Sequence, residues 1–326
     1  IALDVVDALS EGGATSFTIA SRDQVASIKR DVMRKIRSHA DFDSTVLSKL
    51  DSRVFDQFFE DEIAYVRQRF LLGKYEQYLS APRHGRGVPL NQKARAMVLS
   101  SVMYWDESLL SIFLKDHEQI VQTSLELLTE SINAVPGTLN YRCVLVDEVQ
   151  DLSQLELTIL SLIPDAEGKR SVNLPNGLFL VGDGAQTIYK KGFALTHCGI
   201  SIRKRSFVLQ KNYRNTREIL EAAYGLISSY EFADVDEENI ATPTEPHLSS
   251  RHGEKPFVVK CKSEKHEADY VVNRISEIIK DQRLLDEANE LVGATEIPIA
   301  VIGFNLKDRE RIEQALKHAK IATTQL

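Results

Sequence analysis

The sequence predicts an α/β protein in which a mostly helical first part precedes a parallel sheet. Three observations point there. Residues 1–135 carry apolar side chains chiefly at helical spacing. From Tyr141 onward, short Val/Leu-rich runs closed by acids or glycine alternate with helical segments, the signature of strands feeding crossover helices. The balance of 43% hydrophobic and 27% charged residues over 326 positions is that of an ordinary globular chain, with room for about two domains.

The elements follow in order. Gly12-Gly13 marks a turn, and Ser16 to Ile19 fits a short strand. From Ser21 to about Leu79 the pattern is helical, with Val25, Ile28 and Val32, then Ile63, Val66 and Phe70, recurring on one face. Pro82, Gly85 and Gly87 interrupt it, and a second helical stretch runs from Asn91 to about Glu130. Asn91 reads as the cap of that helix, and Trp105 as a core residue. After Pro136-Gly137, Arg142–Val146 is a buried strand, and Ser153 with Glu156 makes a capping box for a helix through Ile163. Leu178–Val181 and Phe207–Leu209 are further strands, and Asn215 caps a helix to about Ile227.

Residues 231–255, with Asp234, Asp236, Glu237 and Glu238, then Pro243, Pro246 and Gly253, read as a linker. Strand Phe257–Lys260, a helix from about Glu264, strand Ile299–Ile302 and helix Asp308–Ala319 form another α/β unit. The expected division is 1–135, 136–230, the linker 231–255, and 256–326.

Net charge is −7, so the chain is no polycation, although a local basic stripe remains compatible with a nucleic-acid partner. Cys143, Cys198 and Cys261 are sparse and unpaired in spacing, which argues against a disulfide framework or zinc site and for a reducing cytoplasm. No apolar run of membrane-spanning length occurs. The chain starts at Ile1, which implies processing, excision or a piece of a longer protein.

Three segments carry candidate chemistry. In Val144–Asp151 (VLVDEVQD), Asp147 and Glu148 follow a buried strand, where open α/β sheets bind ligands. Such a pair either holds Mg²⁺ and polarises a water, as in a Walker B arrangement, or is a solvated strand end. Gly182–Tyr189 (GDGAQTIY) opens on a glycine that lets the backbone turn sharply or approach a phosphate, with Gln186 as a neutral donor. Asn212–Thr216 (NYRNT) sets an Arg beside an aromatic, suited to a nucleotide edge or to a basic helix entrance.

In this order, DEVQD, GDGAQTIY and NYRNT resemble motifs II, III and IV of the UvrD/Rep family of superfamily 1 DNA helicases. FEDEI at 59–63, EQYL at 76–79 and GRG at 85–87 look like that family's inserted helical subdomain. Glu267-Ala268, and Asn305 with Arg309, are similar to later segments. The resemblance implies a RecA-like parallel sheet with a helical insertion and part of a second RecA-like domain. It implies an ATP-binding, DNA-binding hydrolase of the P-loop class, of the kind used in DNA repair. Its partners would be single-stranded DNA or DNA junctions and the rest of the parent helicase chain.

By the same resemblance, Asp147 holds Mg²⁺ and Glu148 is the catalytic base for ATP hydrolysis. Gln150 and Gln186 sense the γ-phosphate, Tyr213 stacks on adenine and Arg214 contacts the γ-phosphate. Tyr189 lies at a DNA contact, followed by Lys190, Lys191 and Phe193, which replace the family's usual aromatic-basic pair. Further DNA-backbone candidates are Arg203, Lys204, Arg205, Arg83, Arg86, Lys93 and Arg95. One departure is large. No Gly-x-x-x-x-Gly-Lys-Ser/Thr loop occurs within the 326 residues. The reading is therefore a central fragment of an ATP-dependent DNA helicase. A non-catalytic binding module derived from one, or a component of a helicase-nuclease, is the alternative.

Overall fold

A computed structural model describes residues 2–10, 17–83, 86, 88–131, 139, 141–166, 169–170, 174–183, 194–202, 204–209, 211–228, 232–233, 240–241, 249–292, 299–303 and 305–324. The chain divides into two compact units, Ile1–Gly253 and Glu254–Leu326.

The first unit opens with α1 (Ala2–Leu9), a helix that no cap or turn signal announces in the sequence. Its Val5 and Val6 are buried, and the Ala2 carbonyl accepts the Ser124 hydroxyl at 2.7 Å. α2 (Arg22–Arg37) starts in a capping box in which Ser21 and Gln24 exchange side-chain and backbone hydrogen bonds. α3 (Ser52–Arg69), α4 (Gln92–Leu110) and α5 (His117–Glu130) follow. Asn91 caps α4, its Oδ1 accepting the Ala94 amide at 2.9 Å. β1 (Thr18–Ile19) and β2 (Leu114–Lys115) pair in parallel at the edge of this helical part.

Apolar positions of α2, α3 and α4 meet in one core, with Val32, Phe59, Val66, Val98, Val102 and Leu109 wholly enclosed. Two buried polar clusters pin it. In the first, Arg67 on α3 bonds Asp106 on α4 (Nε–Oδ1 3.0 Å) and Asp116 at the head of α5 (Nη2–Oδ1 2.7 Å). Tyr75 donates to the other Asp106 oxygen at 2.6 Å, and the Trp105 indole donates to Asp116 at 2.9 Å. Trp105 is thus core, with its polar edge satisfied. Burial pushes the Asp116 carboxyl up, but Arg67, Trp105 and the Gln119 amide outweigh it and keep Asp116 ionised below its ordinary range.

The second cluster surrounds Glu62, which is fully enclosed. Tyr78 donates to it at 2.6 Å, and Arg83 and Arg86 each reach it at 2.7 Å. Tyr78 of EQYL and Arg86 of GRG therefore meet the buried Glu62 carboxylate of FEDEI. This corrects the reading of Arg83 and Arg86 as DNA-backbone contacts, because their guanidinium groups neutralise Glu62. Arg95 likewise spends Nη1 on the carbonyls of Tyr78, Leu79 and Ala81, and Lys93 pairs with Asp41 at 3.3 Å.

The rest of the first unit mixes helices with short strands. β3 (Val144–Val146) lies beside β6 (Leu178–Leu180) in parallel, and α6 (Gln154–Leu162) packs under them with α5. The expected capping box of Ser153 and Glu156 is present at the start of α6. Between these elements, β4 (Asp165–Ala166) and β5 (Lys169–Arg170) form a small antiparallel pair. β7 (Asn212–Thr216) leads into α7 (Arg217–Ile227), and β8 (Phe232–Ala233) pairs with β9 (Ile240–Ala241). β10 (Ser249–Arg251), inside the stretch read as a linker, returns to pair in parallel with β7.

The mixed α/β class holds, and among the described residues the strands are not joined into one parallel sheet. Among the described residues the strands form five separate two-stranded sheets. Phe207–Leu209, expected as a third buried strand, has no ladder, and its side chains are 94%, 82% and 86% exposed. Among the described residues no strand lies alongside to pair with its backbone groups. The helix that follows is capped by Thr216, not Asn215.

In the second unit, α8 (Glu264–Ile279), α9 (Gln282–Val292) and α10 (Leu306–His318) carry the fold, with Ile275, Ile312 and Leu316 at its core. Asn305 caps α10 through the Asp308 amide at 3.0 Å. Phe257–Lys260 and Ile299–Ile302, expected as strands, are also without ladders, and Val258 is fully exposed. Among the described residues no helix is long and apolar enough to cross a membrane. All three thiols are free.

Replacing Arg67 with Ala strands two buried carboxylates and is expected to cost about 3–5 kcal/mol in urea unfolding. Replacing Lys29, whose 2.6 Å pair with Glu60 is partly exposed, should cost less than about 1 kcal/mol.

Candidate active site

Val144, Leu145 and Val146 face Leu178, Phe179 and Leu180 in register. Because the pairing is parallel, both carboxyl ends emerge on one side, Asp147 from β3 and Val181-Gly182-Asp183 from β6. The pairing continues past the strands. The Val181 amide donates to Val146 O at 2.8 Å, and the Val149 amide donates back to Val181 O at 3.0 Å. This is the edge at which open α/β sheets hold ligands.

The acidic turn is held from within. Asp147 Oδ1 accepts the Glu148 amide at 2.9 Å. Glu148 adopts a left-handed backbone, φ 50° and ψ 44°, a conformation uncommon outside glycine and found at constrained sites. The Asp151 amide closes the turn on Glu148 O at 2.8 Å. Both carboxylates are exposed, and Gln150 is buried between them and the second strand end. Its Nε2 donates to Glu148 Oε2 at 2.6 Å, while its Oε1 accepts the Asp183 amide at 3.0 Å. Gln150 therefore orients Glu148 and ties the two strand ends together.

Gly182 makes that tie possible. A Cβ built there would lie 2.5 Å from Val149 Cγ1 and 2.6 Å from Gln150 Oε1. The sequence marks this glycine for a sharp turn or close approach, and the group approached is the acidic turn itself. The Gln150–Asp183 link has no local signal, since it needs the strand pairing to be known.

Tyr213 and Arg214 lie on β7, in the sheet with β10. Both are exposed. Asn212 Oδ1 accepts the amides of Arg214 (3.0 Å) and Asn215 (2.8 Å), and Arg251 and Ser249 donate to the carbonyls of Arg214 and Asn215. The Lys211 ammonium sits 5.0 Å from the Tyr213 ring centre. The structure thus brings Asp147, Glu148 and Gln150 together. No described hydrogen bond or ion pair joins Tyr213 or Arg214 to them. Gln186, Tyr189, Lys190, Lys191 and Phe193, with Arg203, lie outside the described residues.

Residues 16–196, more than half the chain, match the UvrD/REP helicase N-terminal domain, and residues 207–325 match the UvrD-like helicase C-terminal domain. The chain belongs to the UvrD/Rep helicase family. Among its relatives is a probable DNA helicase II homolog of Mycoplasma capricolum, 28% identical over 200 residues, covering 56% of this chain and 26% of that protein. Another, from Staphylococcus haemolyticus, is one subunit of an ATP-dependent helicase/nuclease, 25% identical over 300 residues, covering 81% and 24%. The ATP-dependent DNA helicase PcrA of Staphylococcus epidermidis is 28% identical over 178 residues, covering 52% and 21%. This UvrD-like chain spans about a quarter of the length of these relatives.

Gly182→Ala is expected to lower stability by about 1–3 kcal/mol, because side chains around a well-packed turn must move. Gly225→Ala in α7 meets nothing within 4 Å and should raise stability by about 0.5–1 kcal/mol. Denaturant midpoints of the two variants check both signs.

Proposed function

We propose that this chain is the central part of an ATP-dependent DNA helicase that moves along single-stranded DNA. The observation that carries the reading is the Asp147–Glu148 pair at the shared carboxyl end of two parallel strands, with Glu148 oriented by Gln150. That is the placement a water-activating carboxylate and a metal-holding carboxylate need in phosphoryl transfer.

The donor set suits Mg²⁺. Among the described residues no three His, Cys, Asp or Glu side chains group as a metal cage. Mg²⁺ on nucleotide is held by one or two carboxylates plus phosphate oxygens, keeping its waters, and Asp147 is exposed for that role. When bound, the ion neutralises charge on the β- and γ-phosphates. Asp147 supplies an oxygen to it. Glu148 accepts a proton from the attacking water, and its Oε2 is kept in place by the Gln150 amide. Gln186 and Gln150 report on the γ-phosphate, Arg214 offsets its charge, and Tyr213 stacks on the base. Tyr189, Lys190, Lys191 and Phe193 are the DNA-contacting residues in this reading. Single strands or junctions and the remaining part of a longer helicase are the partners.

A second reading, a component of a helicase-nuclease, draws on the alignment with the Staphylococcus haemolyticus helicase/nuclease protein, which reaches 81% of this chain. The motor chemistry is the same in both.

The 326 residues carry no phosphate-cradling Lys loop, and positioning supplies most of phosphoryl-transfer catalysis. Assayed alone with single-stranded DNA, the chain is expected to turn over ATP far below ~1 s⁻¹. A rate at or above that overturns the assignment of roles. In a longer protein that carries such a loop, Glu148→Gln should abolish hydrolysis while nucleotide affinity is unchanged. Joint loss of affinity and turnover would make Glu148 structural.

A further inference from the structure

The acidic turn is followed at once by α6, and α6 is tethered to α5 by a side chain the proposed chemistry does not use. Glu156, in the first turn of α6, accepts the Ser153 amide on Oε2 at 2.7 Å, while Ser153 Oγ accepts the Glu156 amide at 3.2 Å. The other carboxylate oxygen, Oε1, accepts Nε2 of His117 at 3.1 Å. His117 is the first residue of α5, next to Asp116, which caps that helix and receives Arg67. The head of α5 therefore links the buried Arg67 cluster, through Asp116, to the cap of α6, through the neighbouring His117. The cap lies two residues beyond Asp151. Beside this link is a cavity of about 180 Å³ whose lining includes Arg67, Gln68, Glu118, Asp151, Ser153 and Glu156.

We propose that His117 is a positioning residue for the acidic turn. When protonated it fixes the Glu156 carboxylate in the orientation that caps α6, and so steadies Asp147–Asp151. When neutral it loosens that hold. The inference rests on the proposed ATP site for its functional consequence, but the tether is a property of this chain.

The charges around the imidazole favour the protonated form. Asp116 and Glu118 flank it on α5, Glu156 meets it from α6, and Asp151 faces the same cavity from the turn. The cation from α3, Arg67, is already engaged by Asp106 and Asp116, and reaches Glu118 at 3.6 Å; Gln68 is neutral. The Glu156 hydrogen bond, offset in part by burial and aided by Glu118 and Asp116, raises His117 above its ordinary 6.5. Burial pushes Glu156 up, but His117 and Ser153 outweigh it and bring it to about 2.

The signs follow. Stability from a raised His is fully present below 6.5 and disappears as pH climbs through the raised value. Stability from the depressed Glu is present above 4.5 and disappears as pH falls toward about 2. Between these limits both partners are charged. His117 is 70% exposed and Glu156 27%, so the pair belongs to the modest class of ion pairs. Its leverage comes from the second bond that the same carboxylate makes to the cap.

Hydrogen exchange of peptides spanning Asp147–Leu157 in the intact chain, corrected for the intrinsic pH dependence, tests this. Protection in the wild type should fall about two- to fivefold as pH rises through the imidazole titration. His117→Ala should be low at every pH and show no step. His117→Gln keeps a neutral donor, so it should also be flat, with protection at or above that of His117→Ala. Peptides of α4 should be unchanged in all three. No step in the wild type, a step that persists in His117→Gln, or loss spreading to α4 in both variants overturns the proposal. In a longer protein that hydrolyses ATP, the substitutions should move the pH profile of kcat and leave KM in place. An exchange step without any shift in that profile keeps the tether and overturns its consequence for ATP hydrolysis, while loss of the ATP reading itself would show as unchanged hydrolysis in Glu148→Gln.

Discussion

Arg67 is the constraint on which the first unit turns. Its guanidinium, carried on α3, is buried, and two helices supply the groups that answer it: Asp106 from α4, and Asp116 at the head of α5 with Glu118 in its first turn. An unpaired charge at that depth would be expelled, so the helices can pack only in the arrangement that brings both aspartates to it. Tyr75, Trp105 and Gln119 then fill the remaining hydrogen-bonding capacity. Hydrophobic matching alone tolerates sliding of one helix on another; a planar fork between two carboxylates does not. Whether this specificity is gained at the expense of stability, relative to an apolar substitute, is set by the same desolvation balance.

From there the order is transmitted by caps more than by sheet. Asp116 both anchors Arg67 and caps α5, and α5 with α6 supports β3. Two short parallel strands could not hold an acidic pair by themselves. Here the ladder extends into the turn through Val149 and Val181, and a buried glutamine amide stitches the second strand end to the first. The candidate site thus sits on a floor made mostly of helix, with the strands as its last layer.

Much of this was legible because it depends on local chemistry. Asn91, Ser153 and Glu156 are capping residues whose bonds close within three positions, so the sequence displays them directly. The strand before Asp147 was legible from its apolar run, and Gly182 from its place after another. Phe207–Leu209 and Phe257–Lys260 misled for the converse reason. Their composition suits a buried strand, but a strand exists only if another lies beside it, and composition says nothing about that neighbour. Arg83, Arg86 and His117 were illegible for a related reason. A surface cation and a cation that neutralises a buried acid look alike until the fold places Glu62 next to it, and the pairing of His117 with Glu156 spans two helices with no local signal. α1 was short and lacked a cap signal, and only its packing on α5 gives it away.

The left-handed backbone at Glu148 separates two demands that usually coincide. Asn and Gly accept that conformation most readily, yet neither bears a carboxylate. Asp keeps the charge and tolerates the backbone, but is one methylene too short to keep Gln150 at its present reach. A β-branched residue fits neither requirement. The turn therefore filters replacements twice, once by shape and once by chemistry, and few of the twenty amino acids pass both. Drift at this position should accordingly be slow even in a descendant that no longer used the carboxylate, because the fold would go on refusing most alternatives.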